Sequence, residues 1–227
     1  MNCCICGQIA GDPSNDLLAS ISQEKTYRRR TVFETENFAV FPSVGPLVPG
    51  HVILCPKSHV RSMAALPALL DSEFDTVWES LSGLLTDTYG MPVHFFEHGM
   101  SHNVGSRILC TVDHAHLHAV PTQVSITTTI KKYPQVSVQD GISGLRKAVG
   151  TNEYVFYAGP DGDRIAILSE HRALPSQFLR QAFAEALGNS ADWNWREHLK
   201  PEETLRTLQV LTSNFGRSSS FMETKSY

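Results

Sequence analysis

The chain has 227 residues, of which 41% are hydrophobic and 19% charged, and this is enough apolar material for an ordinary globular core. Its formal net charge of -4 provides no basic field for a phosphate backbone, so a nucleic acid is not an expected partner. No apolar run approaches the roughly 18 residues that a membrane helix needs, and the first residues do not form a signal peptide. These features predict a cytoplasmic protein without membrane contact.

The first part of the chain predicts short strands around a proline-rich loop. Residues 31–33 and 38–41 have strand character and flank a turn at Glu36-Asn37. Pro42 to Gly50 contains three prolines and two glycines, so it predicts a structured loop. Residues 51–55 then form an apolar run that predicts a buried strand ending before Pro56.

The middle of the chain predicts one long helix followed by two strands. Apolar residues recur at helical spacing over Asp71–Tyr89, Asp71 or Ser72 can cap its start, and Gly90 can end it. Residues 93–97 and residues 108–121 are predicted as strands. A core domain ending near Pro121 therefore combines strands with one packed helix.

The part after Pro121 predicts an extension of mixed structure. Residues 154–157 and 164–168 flank a turn sequence and predict a hairpin. Residues 175–187 and 201–211 predict two helices. We find no internal repeat in the sequence. The expected fold is α+β, a mostly antiparallel sheet with a packed helix plus a C-terminal α/β extension. Its divisions are a core at 1–121, an extension packed on it at 122–215, and a disordered tail at 216–227.

Three histidines alternate with small apolar residues in His114-Ala-His116-Leu-His118. Because side chains alternate on a strand, these three histidines share one face over about 13 Å. A neutral imidazole can attack phosphorus, and its neighbours can donate hydrogen bonds to phosphoryl oxygens or pass protons. The alternatives for such a row are a metal site or a histidine-bearing core strand.

The residues 114–120 resemble the motif of the histidine-triad (HIT) family. An upstream segment, Pro46-Leu-Val-Pro-Gly-His51-Val-Ile-Leu-Cys-Pro-Lys-Ser-His59, is similar to the segment of Hint-type and Fhit-type proteins that lies below the nucleotide. The resemblance covers about residues 3–121. It implies a HIT-like nucleotide-binding core, and a homodimer is the usual arrangement of such folds. The extension would replace or supplement those dimer contacts.

The resemblance also implies roles for the catalytic residues. His116 would be the nucleophile that forms a nucleotidyl-histidine, and His118 would contact the phosphoryl oxygens. His114 would orient His116, and His51 would lie close to the triad. Thr111 occupies the position where Hint-type proteins carry a serine near the leaving group.

For the substrate-binding residues, the match to the family is weaker than for the catalytic residues. Phe38 and Phe41 are candidates for the base pocket, and Ser43 for the ribose, where Hint-type proteins have an aspartate. His98 precedes the triad and is a candidate substrate contact. Ala119-Val120 follows the triad, where the uridylyltransferase branch has a glutamine, so the hydrolase-like branches are favoured.

The extension and the N-terminus add two further expectations. Gln177 and Arg180 lie three residues apart on a predicted helix face, and they either hold a phosphate or the non-nucleotide half of a substrate or form a solvated face. The chain has five cysteines, and an odd, clustered set indicates a reducing compartment. Cys3 and Cys6 have metal-ligand spacing, but two cysteines alone are weak evidence because zinc takes four ligands. By resemblance to zinc-bearing family members, Cys3, Cys6, His59 and His114 would bind a structural zinc ion.

The function expected from the sequence is cleavage of a nucleotide at its α-phosphorus through a His116 adduct. The substrate would be a dinucleoside polyphosphate or a nucleoside phosphoramidate. A nucleotidyltransferase or phosphorylase with the same intermediate is the second enzymatic hypothesis. A zinc-bound nucleotide sensor or interaction module with little turnover is the hypothesis from a different class.

Overall fold

The computed structural model describes residues 3–12, 14–21, 30–100, 112–168 and 174–223, with side chains described as far as Gly216. The helices are α1 Cys4–Ala10, α2 Leu17–Ile21, α3 Asp71–Tyr89, α4 Thr127–Ile130, α5 Gly141–Val149, α6 Phe178–Ala186 and α7 Pro201–Glu223. The strands are β1 Phe33–Glu34, β2 Phe38–Pro42, β3 Val52–Pro56, β4 Val93–Gly99, β5 Leu117–Pro121, β6 Val136–Ser137, β7 Tyr154–Ala158 and β8 Arg164–Leu168.

The strands form one eight-stranded sheet in the order β1-β2-β3-β5-β4-β7-β8-β6, and all its pairings are antiparallel. This confirms the predicted α+β fold. Leu117 and Ala119 pack in the core on one face, and His118 lies on the other, as strand alternation requires. One face of the sheet therefore packs in the core, and the other face carries the histidine.

Helix α3 covers the apolar face, and its bounds are those that the sequence predicts. Phe74, Val77, Leu81 and Leu85 are buried against the sheet. Complete burial of each such side chain contributes on the order of 1.5–3 kcal/mol. The helix ends where Gly90 adopts a left-handed conformation (φ 65°) and its N–H bonds to the Thr86 carbonyl.

Two four-element units with the same order and pairing form most of the sheet. The first unit is β3-α3-β4-β5 and the second is β6-α5-β7-β8. In each unit the first strand pairs with the last and the middle strand pairs with the last, and β4 pairs with β7 where the units meet. Helices α3 and α5 contribute to the same core on one face. The chain thus contains a structural repeat that its residues do not reveal.

The second unit differs from the first at the connection that carries the histidines. In the first unit 17 residues, 100–116, join β4 to β5, whereas five residues, 159–163, join β7 to β8. On β8, Ile165 and Ile167 pack in an apolar core on the face where β5 carries His118. Only the first unit, within the part of the chain that the structure describes, presents a histidine row.

The extension packs on both faces of the sheet. Helix α6 covers the histidine-bearing face, where the Phe183 ring stacks on Phe96 with centroids 5.5 Å apart. Helix α7 contacts α3 and β2 on the other face, where Phe215 stacks on Phe33 at 4.6 Å. The sheet runs without a break across Pro121, the boundary expected from the sequence.

Several element boundaries differ from the sequence prediction, most clearly those of β5, α6 and α7. The strand predicted over 108–121 is seen as β5 only from Leu117, and residues 112–116 are irregular. Helix α6 begins at Phe178 rather than at Pro175. The last helix was expected to end at Leu211 and disorder to begin at Gly216, but α7 continues to Glu223. Among the described helices, none is long and apolar enough to span a membrane.

Candidate functional site

A pocket on the histidine-bearing face brings together residues from the N-terminus, the core and the extension. We call it the triad pocket. It is lined by Cys4, Ile5, Gln8, Leu17, Pro42, Ser43, Val44, Ile53, Val112, His116, His118, Arg180 and Trp195. A larger cleft of about 570 Å³ lies between α3 and α5 on the opposite face. Because no histidine lines that cleft, the triad pocket is the candidate site.

His116 is held in the tautomer that a nucleophile requires. Its Nδ1 lies 2.7 Å from the carbonyl oxygen of His114. A carbonyl oxygen can only accept a hydrogen bond, so Nδ1 carries the proton and donates it, and Nε2 carries the lone pair. The ring is 9% exposed, and this burial lowers its pKa below the ordinary value of 6.5. His116 is therefore neutral at neutral pH.

His118 is held in the opposite tautomer by two hydrogen bonds in series. The Leu47 N–H donates to His51 Nδ1 (3.1 Å), so His51 Nε2 carries the proton and donates it to His118 Nδ1 (2.9 Å). His118 Nε2 is consequently an N–H donor. Burial holds the pKa of His51 and of His118 well below 6.5, so His118 donates as a neutral ring. Phe96 stacks on His118 at 4.4 Å and fixes its plane.

His114 turns away from the pocket toward two cysteines. Its Nε2 donates to the Pro56 carbonyl (2.8 Å), which leaves the Nδ1 lone pair 3.5 Å from Cys3 Sγ and 3.4 Å from Cys6 Sγ. Cys6 Sγ also lies 3.3 Å from His59 Nδ1. The four candidate ligand atoms lie within 4.8 Å of one another. Sulfur–nitrogen edges of about 3.5 Å follow from tetrahedral zinc with its usual bond lengths, so this donor set fits a tetrahedral metal.

Residues 24–124 match the family model of the HIT domain. The chain contains a HIT domain. The triad, strands β1 to β5, and His59 and His114 of the metal-ligand cluster lie within this matched segment, whereas Cys3 and Cys6 precede it.

Comparison with curated proteins finds one relative from rice (Oryza sativa subsp. japonica), named "Zinc finger CCCH domain-containing protein 59". It is 26% identical over 190 residues, which cover 75% of this chain and 29% of that protein. The chain thus spans less than a third of the length of this relative. The match extends over a larger part of the chain than the HIT domain does, so it includes part of the extension.

Several solved structures resemble the chain at low identity. A HIT family protein from Bacillus anthracis is 22% identical (53% of this chain, 72% of that chain, TM-score 0.40). A HIT family hydrolase from Legionella pneumophila is 20% identical (54% and 96%, TM-score 0.38). A zinc-bound histidine triad family protein from Mycobacterium smegmatis is 19% identical (53% and 75%, TM-score 0.39). These similarities are too low to support an inference about activity.

Of the residues expected to bind the base and the ribose, only some line the triad pocket. Ser43 lines the pocket and is buried, with its hydroxyl donating to the Val44 carbonyl (3.3 Å). Phe41 is fully buried beside the N-terminal helix and does not line the pocket. Phe38 lies on the opposite face, where its ring meets Phe74 of α3. Two residues three apart on a strand point to opposite faces, so Phe38 and Phe41 cannot form one base pocket.

The apolar wall of the triad pocket comes from residues that the sequence reasoning did not single out. Ile5 and Leu17 belong to the two N-terminal helices, and Ile53 pairs with Phe41 across β2 and β3. Ile53 could have been found, because it alternates with the fully buried Val52 and Leu54 on β3. Ile5 and Leu17 depend on how the N-terminal segment folds back, which no local pattern predicts.

The three other expected substrate contacts, His98, Gln177 and Arg180, do not all line the triad pocket. His98 Nε2 accepts the backbone N–H of Leu179 (3.1 Å), and burial lowers its pKa to about 3, so it anchors helix α6 and does not line the pocket. Gln177 precedes α6 with a left-handed backbone (φ 56°) and does not line the pocket either. Arg180 does line it. Thr111 lies outside the described residues.

Proposed function

We propose that this HIT-domain protein cleaves nucleotides at the α-phosphorus through a covalent nucleotidyl adduct on His116. The observation that carries the proposal is the pair of opposite tautomers in one pocket. His116 presents a lone pair on Nε2, and His118 presents an N–H. A nucleophile next to a neutral hydrogen-bond donor is what attack on a phosphoryl group needs.

The reaction would proceed in two displacements. His116 Nε2 attacks the α-phosphorus, a P–N bond forms, and the bond to the leaving group breaks. His118 Nε2–H donates to a non-bridging phosphoryl oxygen while negative charge builds there. Water then attacks the same phosphorus, the P–N bond breaks, and the nucleoside monophosphate leaves with Nε2 again carrying its lone pair. Thr111 is the candidate to assist the leaving group in the first step.

Binding of the nucleoside would use the walls of the triad pocket. Ile5, Leu17 and Ile53 offer apolar surface for a base, and Ser43 offers a hydroxyl where Hint-type proteins have an aspartate. A serine carries no charge and contributes fewer acceptor sites, so the grip on a ribose diol is weaker than with a carboxylate. Recognition of the substrate then depends more on its phosphates than on its ribose.

Zinc is the metal that we propose for Cys3, Cys6, His59 and His114. Two thiolates and two imidazoles around one centre form a closed, structural site of the kind that zinc prefers. The metal would fix His114, whose carbonyl oxygen accepts the Nδ1 proton of His116. The metal would therefore hold His114 in place, and His114 would in turn orient His116. The catalytic groups would be the histidines and not the metal.

Product analysis with a substrate panel tests the proposal. Dinucleoside polyphosphates, nucleoside phosphoramidates and nucleotide sugars are each incubated with the protein, with and without inorganic phosphate. Release of a nucleoside monophosphate supports hydrolysis. Replacement of that monophosphate by a second nucleoside diphosphate when phosphate is present supports transfer. His116→Ala should abolish turnover, whereas His198→Ala, a histidine that does not line the pocket, should retain it. Full activity in His116→Ala would refute the assignment.

A further inference from the structure

A buried guanidinium forms part of the wall of the triad pocket. Arg180 is on α6 and is only 2% exposed, yet it lines the same pocket as His116 and His118. A buried charge is costly unless other groups compensate for it. Among the described residues that line this pocket, Arg180 is the only one with a permanent charge, and none is a carboxylate.

The partners of Arg180 are neutral carbonyl groups. Its Nε donates to the Trp193 carbonyl (2.9 Å), and its Nη2 donates to the carbonyls of Gly45 (2.7 Å) and Asp192 (3.4 Å). The carboxylate of Asp192 is instead paired with Lys200 at 2.7 Å. Within the described part of the chain, no hydrogen bond uses Arg180 Nη1, so its two N–H groups can donate to a ligand in the pocket.

The chain holds this guanidinium in a fixed position. Gly45 approaches so closely that a Cβ there would lie 2.7 Å from the His198 carbonyl and from the Trp195 side chain. Gly45 also has a left-handed backbone (φ 60°), which favours glycine. Burial lowers the pKa of Arg180 to about 10, so it stays positively charged at neutral pH, and its charge adds to the effect of burial in lowering the pKa of His118. The positive field of Arg180 therefore reaches the triad.

The charge of Arg180 distinguishes between two kinds of leaving group. A phosphate that departs from the α-phosphorus gains negative charge, which a fixed cation stabilises. An amine that departs from a phosphoramidate takes up a proton and becomes positive, so a cation beside it is unfavourable. In the tautomers set by their hydrogen bonds, His116 offers a lone pair and His118 an N–H, so neither adds a fixed positive charge to the pocket. A phosphate leaving group therefore matches this pocket better than an amine.

We propose that Arg180 binds a phosphate of the leaving group and makes the protein selective for phosphoanhydride (P–O–P) substrates over phosphoramidates. The proposal rests on the function proposed above, which it narrows to one class of substrate. It gives the extension a direct part in the site, because α6 brings Arg180 to a pocket that is also lined by Trp195 of the extension, the HIT domain and the N-terminal helices.

The test compares kcat/KM for a dinucleoside triphosphate and for a nucleoside phosphoramidate of the same base. In Arg180→Gln, which keeps some donor capacity but removes the charge, the ratio of the two values should fall about 100-fold. Arg180→Lys should restore part of that ratio, because the charge returns. Arg164→Gln, the same substitution on the opposite face of the sheet, should leave the ratio unchanged. An equal loss for both substrates in Arg180→Gln, with no recovery in Arg180→Lys, would overturn the proposal.

A binding measurement separates this proposal from the proposed function and from a folding defect. Inorganic pyrophosphate is titrated calorimetrically into wild type, His116→Ala and Arg180→Gln, each with its melting temperature recorded. Binding to the first two and at least about a tenfold loss in a folded Arg180→Gln supports the phosphate site, even if no nucleotide is cleaved. Equal affinity in all three variants, or no binding to wild type, contradicts it.

Discussion

A buried carboxyl group behind the triad makes the stability of this protein dependent on pH. Glu97 lies on β4 and is 1% exposed. The Met63 N–H (2.7 Å) and the Tyr154 hydroxyl donate to its two oxygens. Burial nevertheless raises its pKa from 4.5 to about 7, because the charged form is less well solvated than in water.

The size and sign of the effect follow from this pKa. Folding favours the protonated acid, so the stabilisation is fully present below pH 4.5 and is lost as the pH rises to about 7. A rise in pKa from 4.5 to about 7 corresponds to about 3 kcal/mol at 1.36 kcal/mol per pH unit. Glu97→Gln cannot ionise, so its free energy of unfolding should lack this component.

Urea denaturation of wild type and Glu97→Gln between pH 4.5 and 8 measures the effect. The difference in the free energy of unfolding between them should change by about 3 kcal/mol in favour of the glutamine variant over that range. Tyr154→Phe removes a hydrogen bond that lowers the pKa of Glu97, so the transition should move to higher pH. Glu79→Gln, an exposed change on α3, is the control. A pH-independent difference for Glu97→Gln would refute the burial argument.

Three further predictions concern the metal, the histidine relay and the oligomeric state. Elemental analysis should find about one zinc ion per chain. Cys6→Ser or a chelator should lower both the zinc content and the melting temperature. A purified protein that contains no metal, with a melting temperature that neither perturbation changes, would contradict the site. His51→Phe leaves the Leu47 N–H and His118 Nδ1 without their partner, so denaturation should show a loss of about 2–5 kcal/mol, and a loss below 0.5 kcal/mol would contradict the relay. Light scattering should give a monomer of 25.1 kDa, because β4 pairs with β7 and so leaves the first unit no free strand edge at β4 for a second chain. Twice that mass would contradict this prediction.

Local patterns explain why much of the HIT domain was predictable from the sequence. The spacing of Phe74, Val77, Leu81 and Leu85 predicted α3 with its observed bounds. Alternation predicted that Leu117 and its neighbours of the same parity would pack on the helix face. These features depend on periodicity alone, which a single sequence contains in full.

The second unit was not predictable as a repeat because it shares topology with the first and few residue types. Its first strand, Val136–Ser137, has two exposed residues and no apolar pattern. Five residues replace the long connection that carries the triad. The hairpin at β7 and β8 was predicted, but its pairing with β4 is a long-range contact that no local signal encodes.

The site shows the same division between local and long-range information. Strand parity was available in the sequence, and it would have excluded Phe38 from any pocket shared with Phe41. The Leu179 N–H donates to His98, and Arg180 lies in the pocket wall. Both contacts depend on where α6 packs. The tautomer of His116 is set locally by the carbonyl of His114, whereas that of His118 depends on His51 and the Leu47 N–H, which are distant in the sequence.

The central claim is that His116 attacks through Nε2, and trapping the adduct tests it most directly. The protein is quenched during turnover of a labelled nucleotide and digested, and the peptides are analysed by mass spectrometry, with the substituted ring nitrogen assigned by NMR. We expect one nucleoside monophosphate on the peptide that contains His116, attached at Nε2, and none in His116→Ala. An adduct on another residue, attachment at Nδ1, or turnover without any adduct would contradict the account.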